Sequence, residues 1–351
     1  MDTPTITMTM LGATGSGKTM FLHGMYATLS AGIAGYFVYT RDPDDDIDLM
    51  DTWDLLCEEG TLPPATDEQP VNHDFVFKYG LNPLLSIDCQ DFRGGAALSS
   101  SRSGGPDVQQ LRDRLAVSDT VYLVLDGGEV GRWIDTVVQA GGGAVNRSRD
   151  PMKVAALSRF IQDAADARRA RGKLAPSIVV LITKSDLLPE ITGMSKGKAL
   201  RVTLENLKEL VPVVYSEGIT ALVCPVQIGR LGQHKHEAVD PSAIDPVGLH
   251  KPFAFSLWHY LTEGIQDYAA ELDQLRASKT AAAQEIASLR TRFAAGLFHR
   301  NRMRSLDDDL DSAERQLIEV AGREQGAQAM VSQLMEQLAR LPIIKDGKLQ
   351  V

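Results

Sequence analysis

The chain has 351 residues, 44% of them hydrophobic, and a formal net charge of −10 at pH 7. That length favours a large domain with an appendage over a single domain, and the acidic balance argues against a general nucleic-acid binder, whose surface would be basic. The three cysteines, Cys57, Cys89 and Cys224, are odd in number and unpatterned, which excludes a disulfide framework or cysteine metal site and suits a reducing, cytoplasmic setting.

The opening "MDTPTITMTMLGATG" has no basic segment leading into an apolar run, and no apolar run reaches the ~18 residues of a membrane span, so neither signal peptide nor span is expected. Residues 5–11 read as a buried strand. They run into Gly12-Ala13-Thr14-Gly15-Ser16-Gly17-Lys18-Thr19, which fits G-x-x-x-x-G-K-[ST], a pattern met by chance in about 1% of chains this long. Met20 then opens a predicted helix, residues 20–29. Glycines let such a loop turn its N–H groups onto a phosphate, and the helix N-terminus adds partial positive charge. Lys18 is placed to reach the β- and γ-phosphates, and the Thr19 hydroxyl to ligate Mg²⁺. The acidic segment 42–48 reads as a solvated loop.

Residues 74–79 and 84–89 form two strands joined by a short turn with Gly80, Asn82 and Pro83, which predicts one antiparallel hairpin inserted in the sheet. The second strand ends in Asp91-Phe92-Arg93-Gly94. Asp91 can hold Mg²⁺ through a water opposite Thr19, and Gly94 supplies a flexible N–H that can sense a γ-phosphate. Asp88 is the rival carboxylate. After a small, polar loop at 98–107 come a helix at 108–115, a strand at 120–125, a glycine-rich loop at 140–150 and a helix at 151–171. Strands alternating with helices predict an α/β fold with a mainly parallel sheet, and the apolar run 177–183 belongs at its centre.

That run ends in Thr183-Lys184-Ser185-Asp186. K-x-D occurs about once by chance in a chain this size. Here it follows a phosphate loop and a D-x-x-G strand end. Asp186 can accept from both N1–H and the exocyclic amine of guanine, a donor pair that adenine lacks, and the Lys184 stem can lie over the base. A helix at 198–211 and a strand at 220–226 follow. His234, His236 and Glu237 lack a further nearby ligand and read as a solvated loop.

Beyond about residue 255 the pattern becomes heptad-like, from Ile265 to Phe293 and again from Leu306 to Leu341. Two long helices folded back as an antiparallel hairpin are expected, broken near Gly296. Lys279 and Glu324 are the charged members of these stripes. Their symmetry about residues 301–302 predicts that they face each other, unless each reaches to water alone. The tip, residues 290–304, is basic and apolar (Arg290, Arg292, Leu297, Phe298, Arg300, Arg302, Met303, Arg304). Its first reading is a helix turn with arginines at a C-terminus, ahead of an acidic protein partner and of peripheral contact with anionic lipid.

The ordered set GATGSGKT, DFRG and TKSD resembles the Ras-like GTPases of the TRAFAC class over residues 5–255. The resemblance implies a P-loop GTPase domain at 1–255, a helical hairpin at 256–341 and a tail at 342–351, with GTP or GDP and Mg²⁺ as ligands. It places phosphates on residues 12–19, Mg²⁺ at Thr19 and Asp91, and guanine at Lys184 and Asp186. A base-contacting loop working through backbone N–H groups falls on Val226, Gln227 and Ile228, although the family's Ser-Ala-Lys is absent. A threonine closing over Mg²⁺ and the γ-phosphate falls on Thr66, with Thr61 and Thr40 as rivals. Two departures matter. Thr183 stands where the family has Asn, so its hydroxyl must tie the loop together with fewer bonds. Gly95 stands where many relatives have a water-orienting Gln, which predicts slow intrinsic hydrolysis, helped by Arg93, Arg41, Arg102 or a partner. "LPPAT", "DFRGG" and "TKSD" before a helical tail look like the bacterial double-GTPase group, implying a second GTPase as partner and a regulated switch in a conflict or stress system. A nucleotide-bound scaffold that never hydrolyses, or a small-molecule P-loop kinase, are the other readings.

Overall fold

The computed structural model of the protein describes residues 4–33, 35–62, 71–92, 106–139, 152–231, 238–291 and 296–350. It divides into two compact units, Met1–Ser256 with Arg340–Val351, and Leu257–Ala339.

In the first unit the strands are β1 (Thr5–Gly12), β2 (Tyr36–Thr40), β3 (Val71–Tyr79), β4 (Asn82–Asp91), β5 (Thr120–Asp126), β6 (Ser177–Thr183), β7 (Thr220–Pro225), β8 (Gln227–Gly229), β9 (Ile244–Val247), β10 (Ile343–Lys345) and β11 (Lys348–Gln350). Its helices are α1 (Lys18–Ser30), α2 (Pro43–Glu59), α3 (Pro106–Val117), α4 (Gly127–Gln139), α5 (Val154–Arg169), α6 (Leu187–Thr192) and α7 (Lys196–Leu210). Among the described residues the main sheet has the order β11-β10-β7-β6-β5-β1-β4-β3-β2, with β8 and β9 as a separate ribbon. The strands β4, β1, β5, β6 and β7 run parallel, and β3 and β2 add antiparallel at one edge. The fold is therefore mixed α/β with a mostly parallel central sheet.

Burial explains the placement. Every residue of β6 is buried, as a strand flanked by neighbours and covered on both faces must be. Helix α5 turns Val154, Leu157, Ile161, Ala164 and Ala165 inward, the i, i+3, i+4, i+7 stripe of a helix lying on a sheet. Among these it also buries Arg168, whose guanidinium is satisfied by Asp119 Oδ1 at 3.1 Å and the carbonyls of Ser118 and Leu174 at 2.9 and 2.8 Å. At β1 the connections diverge, since its two sheet neighbours are β4 and β5. The crevice at the carboxyl ends of strands where the order reverses is where open α/β sheets bind ligands, and there β1 runs into the glycine-rich loop.

Several expectations are corrected. Segment 42–48 is the start of α2 rather than a loop. The Asp42 side chain accepts from Asp44 N at 3.0 Å, Pro43 takes the first helical position, and Asp44, Asp45 and Asp46 fill the first turn. This is the capping and dipole chemistry that an acidic cluster provides when a helix follows it. Residues 342–351 are not a free tail. Ile343–Lys345 and Lys348–Gln350 extend the sheet as β10 and β11, β10 lying antiparallel to β7. The segments 98–105 and 140–150 and the histidines at 234 and 236 lie outside the described residues.

In the second unit, which α8 (Lys251–Thr291) and α9 (Gly296–Leu338) supply, Leu306, Ala313, Val320, Ala327 and Leu334 are buried at intervals of seven, the coiled-coil seam the heptads predict. Lys279 does not meet Glu324. It pairs with Glu314 Oε1 at 3.2 Å, while Glu324 accepts from Gln328 within its own helix. The Lys279–Glu314 pair is centred on residues 296–297, several residues before the midpoint inferred from charge symmetry. The side chains of the tip, residues 290–303, lie outside the described ones. No described helix is long and apolar enough to cross a membrane.

Candidate functional site

The loop between β1 and α1 is built to present N–H groups. Gly15 and Gly17 have φ of 78° and 84°, a left-handed backbone that side chains with a Cβ resist. Gly17 caps α1 without any side-chain hydrogen bond, and no acidic residue occupies the first turn. The contrast with α2, capped by Asp42 and followed by three aspartates, leaves the α1 N-terminus open to an anion. Lys18, 5% exposed, curls over the loop and donates to Gly12 O and Ala13 O, both at 3.2 Å. Burial pushes its pKa down, and the charge of Asp91 opposes this.

Asp91 ends β4, and its register beside Met10 on β1 carries it to the loop. Its Oδ2 accepts from Thr19 Oγ1 at 3.2 Å, so the two predicted cation ligands are brought together. Asp88, the rival, is taken by Arg114, which donates to Asp88 Oδ1 and to its carbonyl, both at 2.8 Å. The pair Thr19 and Asp91 suits Mg²⁺, a hard cation that takes a few protein oxygens and completes its shell with phosphate and water. Among the described residues no cluster of three or more His, Cys, Asp or Glu forms an alternative metal site.

The TKSD segment reaches the same place. Thr183 Oγ1 lies 2.6 Å from Ser16 O and 3.1 Å from Leu125 O, so its one hydroxyl fastens the loop to β6. Lys184, held at φ 47°, donates to Gly15 O at 2.8 Å and to Asp126 Oδ2 at 2.6 Å. Its ammonium thus joins the phosphate loop, the end of β5 and the end of β6. Asp186 is half-buried at the start of α6, and burial raises its pKa against the opposing charges of Lys196 and Lys184. Ser185 N donates to Val226 O at 3.1 Å, which brings the residues after β7 alongside. Val226 N, however, donates to Ile182 O at 2.8 Å. The expectation that Val226 offers its N–H to a base is therefore corrected, because the N–H already serves the β6–β7 junction. Ile228 turns its side chain toward Gly24 of α1.

Asp126 was not singled out from sequence. Its signal was a carboxylate closing an apolar strand before two glycines. Its Oδ1 also caps α4, accepting from Gly128 N and Glu129 N at 2.8 and 3.2 Å. Gly127 is required beside it, since a Cβ there would stand 2.5 Å from Thr183 O and 2.6 Å from Lys184 O. Lys196, at the start of α7, was missed as well. It donates to Gln227 Oε1 at 2.8 Å, a contact between residues 31 apart that no local pattern announces.

Other expected residues are not assembled here. Arg41 donates to Ser86, five residues before Asp91 on β4 and hence about 16 Å along that strand. Thr40 pairs with Phe75 on β3 and gives its hydroxyl to Asp42 O at 2.8 Å, so it serves the entry to α2. Thr61 forms an isolated bridge with Ala238. Thr66, Arg93, Gly94, Gly95 and Arg102 lie outside the described residues.

No protein-family model matches the chain, and no curated protein matches it. Solved structures similar to it include the GTPase-like domain of Ski7 from S. cerevisiae. In the form bound to GTP the match has 14% identity and a TM-score of 0.36, over 68% of this chain and 46% of that one. In the form bound to GDP and inorganic phosphate it has 13% identity and a TM-score of 0.35, over 64% and 43%. A third is the ADP-ribosylation-factor-like Sar1 GTPase from Encephalitozoon cuniculi with GDP, at 10% identity, TM-score 0.28, over 65% and 70%. The chain thus spans less than half the length of the Ski7 chains it matches.

Proposed function

We propose that the chain is a GTP-binding switch that hydrolyses GTP slowly with Mg²⁺. The observation that carries this reading is the double attachment of TKSD to the phosphate loop, through Thr183 to Ser16 O and through Lys184 to Gly15 O. An accidental K-x-D has no reason to end there. Asp186 follows two residues after the Lys184 attachment, which supports reading it as the base carboxylate and counts against the kinase reading.

Thr19 and Asp91 would hold Mg²⁺, which supplies charge neutralisation at the phosphate oxygens when bound. Lys18 exchanges its hold on the Gly12 and Ala13 carbonyls for the β- and γ-phosphates. The resemblance assigns the γ-phosphate roles to Thr66, Gly94 and Arg93. Without a side chain at Gly95 nothing orients the attacking water from that position, so turnover is slow until a protein partner supplies a group. By the finer resemblance that partner is a second GTPase, engaged through the loops around the γ-phosphate and the helical hairpin, and the setting is a cytoplasmic bacterial conflict system.

Competition for bound fluorescent GDP tests the base assignment. GTP and GDP displace it, and ATP does not. Displacement by ATP as effective as by GTP would sink the reading. Single-turnover hydrolysis, with Lys18→Ala as control, separates the switch from a scaffold that never hydrolyses, a reading favoured by Gly95. Turnover that disappears in the variant supports the enzyme.

A further inference from the structure

The helical hairpin carries a groove that its own heptads explain. At Ala282 and Ala313 the seams hold a methyl group where neighbouring positions hold Leu or Ile. The Lys279–Glu314 contact sets these two alanines in adjoining layers. Protein interiors pack to crystal-like density, so two truncated side chains side by side leave space that the helices cannot close. The space is about 380 Å³. Its floor is Leu275, Ala282, Leu306 and Ala313, all buried or half-buried, while exposed residues of both helices form its rim.

The lining follows one spacing on both helices. On α8 it steps from Leu275 through Ser278 and Ala282 to Glu285, and on α9 the row from Leu306 to Gln316 repeats it. Steps of three, four and three residues keep each row on one helix face, over a length of about 15 Å. A groove of this form receives an amphipathic helix. The rim carries the carboxylates of Glu285 and Asp309, and among the described residues no Lys or Arg lines the groove. The helix it suits is apolar on one face and basic beside it.

The chain itself contains such a segment. Residues 290–304 hold five arginines with Leu297, Phe298 and Met303 and no acidic residue, in a chain of net charge −10. A hairpin cannot fold this segment onto its own groove, because α8 runs unbroken to Thr291 and α9 from Gly296. A second copy has no such bar. The centre of the groove stands about 20 Å from the segment along the hairpin. Two hairpins set antiparallel about a two-fold axis therefore bring each copy's segment to the other's groove at once, the closed contact of a symmetric dimer.

We propose that the hairpin of α8 and α9 is a self-association surface, in which the groove rimmed by Glu285 and Asp309 receives residues 290–304 of a second copy. The apolar floor supplies burial, and the opposed charges select the partner and fix its direction. The inference does not depend on the nucleotide reading.

Sedimentation equilibrium on the full chain tests it, with a groove variant (Glu285→Lys with Asp309→Lys) and a tip variant (Arg300→Glu with Arg302→Glu). Wild type should dimerise, and less so as salt rises, because exposed charges are screened. Either variant alone sets like charges together in both grooves and should raise the dimer Kd by about tenfold or more. Mixing the two variants should restore association, since one contact of the mixed dimer is then wild type and the other pairs reversed charges. Misfolding cannot imitate that recovery. A monomeric wild type overturns the proposal, as does a Kd unchanged in the groove variant or a mixture that fails to associate. Sedimentation with vesicles of anionic phospholipid adds one more arm: a monomeric chain held on them by the tip arginines assigns the segment to lipid and overturns self-association.

Discussion

Thr183→Val removes one hydroxyl and keeps the branched shape. Thr183 is 4% exposed and Ser16 3%, so water cannot readily replace the 2.6 Å bond to the Ser16 carbonyl. A buried acceptor stripped of its donor costs about 1–3 kcal/mol. For a domain of this size each kcal/mol lowers Tm by about 2–4 °C, giving a fall of about 2–12 °C. The loop carrying Gly15 to Lys18 also loses its tie to β6. GDP affinity should weaken by about tenfold for each 1.4 kcal/mol needed to restore the loop on binding. Thermal unfolding without nucleotide, paired with titration of fluorescent GDP, reads both effects, and Thr183→Ser should behave much like wild type. A valine variant with unchanged Tm and unchanged GDP affinity would refute the claim that this hydroxyl ties the loop to β6.

Burial holds the Asp186 carboxyl above its ordinary value of 3.8, and a protonated carboxyl cannot accept from two guanine donors. GDP affinity should therefore fall as pH drops toward that raised value, before typical carboxylates titrate, and Asp186→Asn should abolish the dependence in the same titration series. Thr19→Ala removes one of two oxygens set 3.2 Å apart and should reduce the Mg²⁺ enhancement of GDP binding by roughly tenfold or more, measured as affinity with and without Mg²⁺. Gly127→Ala would force a Cβ to within 2.5 Å of Thr183 O and should destabilise by about 1–3 kcal/mol in chemical denaturation. Lys279→Met should change stability by less than about 1 kcal/mol, because its pair with Glu314 is 40% and 60% exposed. A larger loss would mean that this pair anchors the register.

Much of the fold was legible because it rests on local chemistry. Strand β6 was expected over the residues it occupies, since a continuous β-branched run has no other comfortable setting in a soluble sheet. The glycine loop, the D-x-x-G strand end and the helical hairpin could be read for similar reasons. Segment 42–48 was misread because an acidic run suits both water and a helix start, and what separates them is the helix that follows. Residues 342–351 looked like a tail because three-residue strands carry no periodicity. Their pairing depends on the open edge of β7, more than a hundred residues away.

The candidate site divides along the same line. Sequence alone determined which groups are available: a phosphate-cradling loop with Lys18 and Thr19, a carboxylate at Asp91, and Asp186 after an apolar strand. Spacing could also set their order, because each motif sits at the end of a strand. Tertiary structure decided which of them meet. Thr183 and Lys184 reach the loop across 167 and 169 residues, Asp126 clamps Lys184 across 58, and Lys196 holds Gln227. These contacts arise where neighbouring parallel strands end at one edge of the sheet, and a side chain there finds its partner through strand order rather than through spacing in the chain.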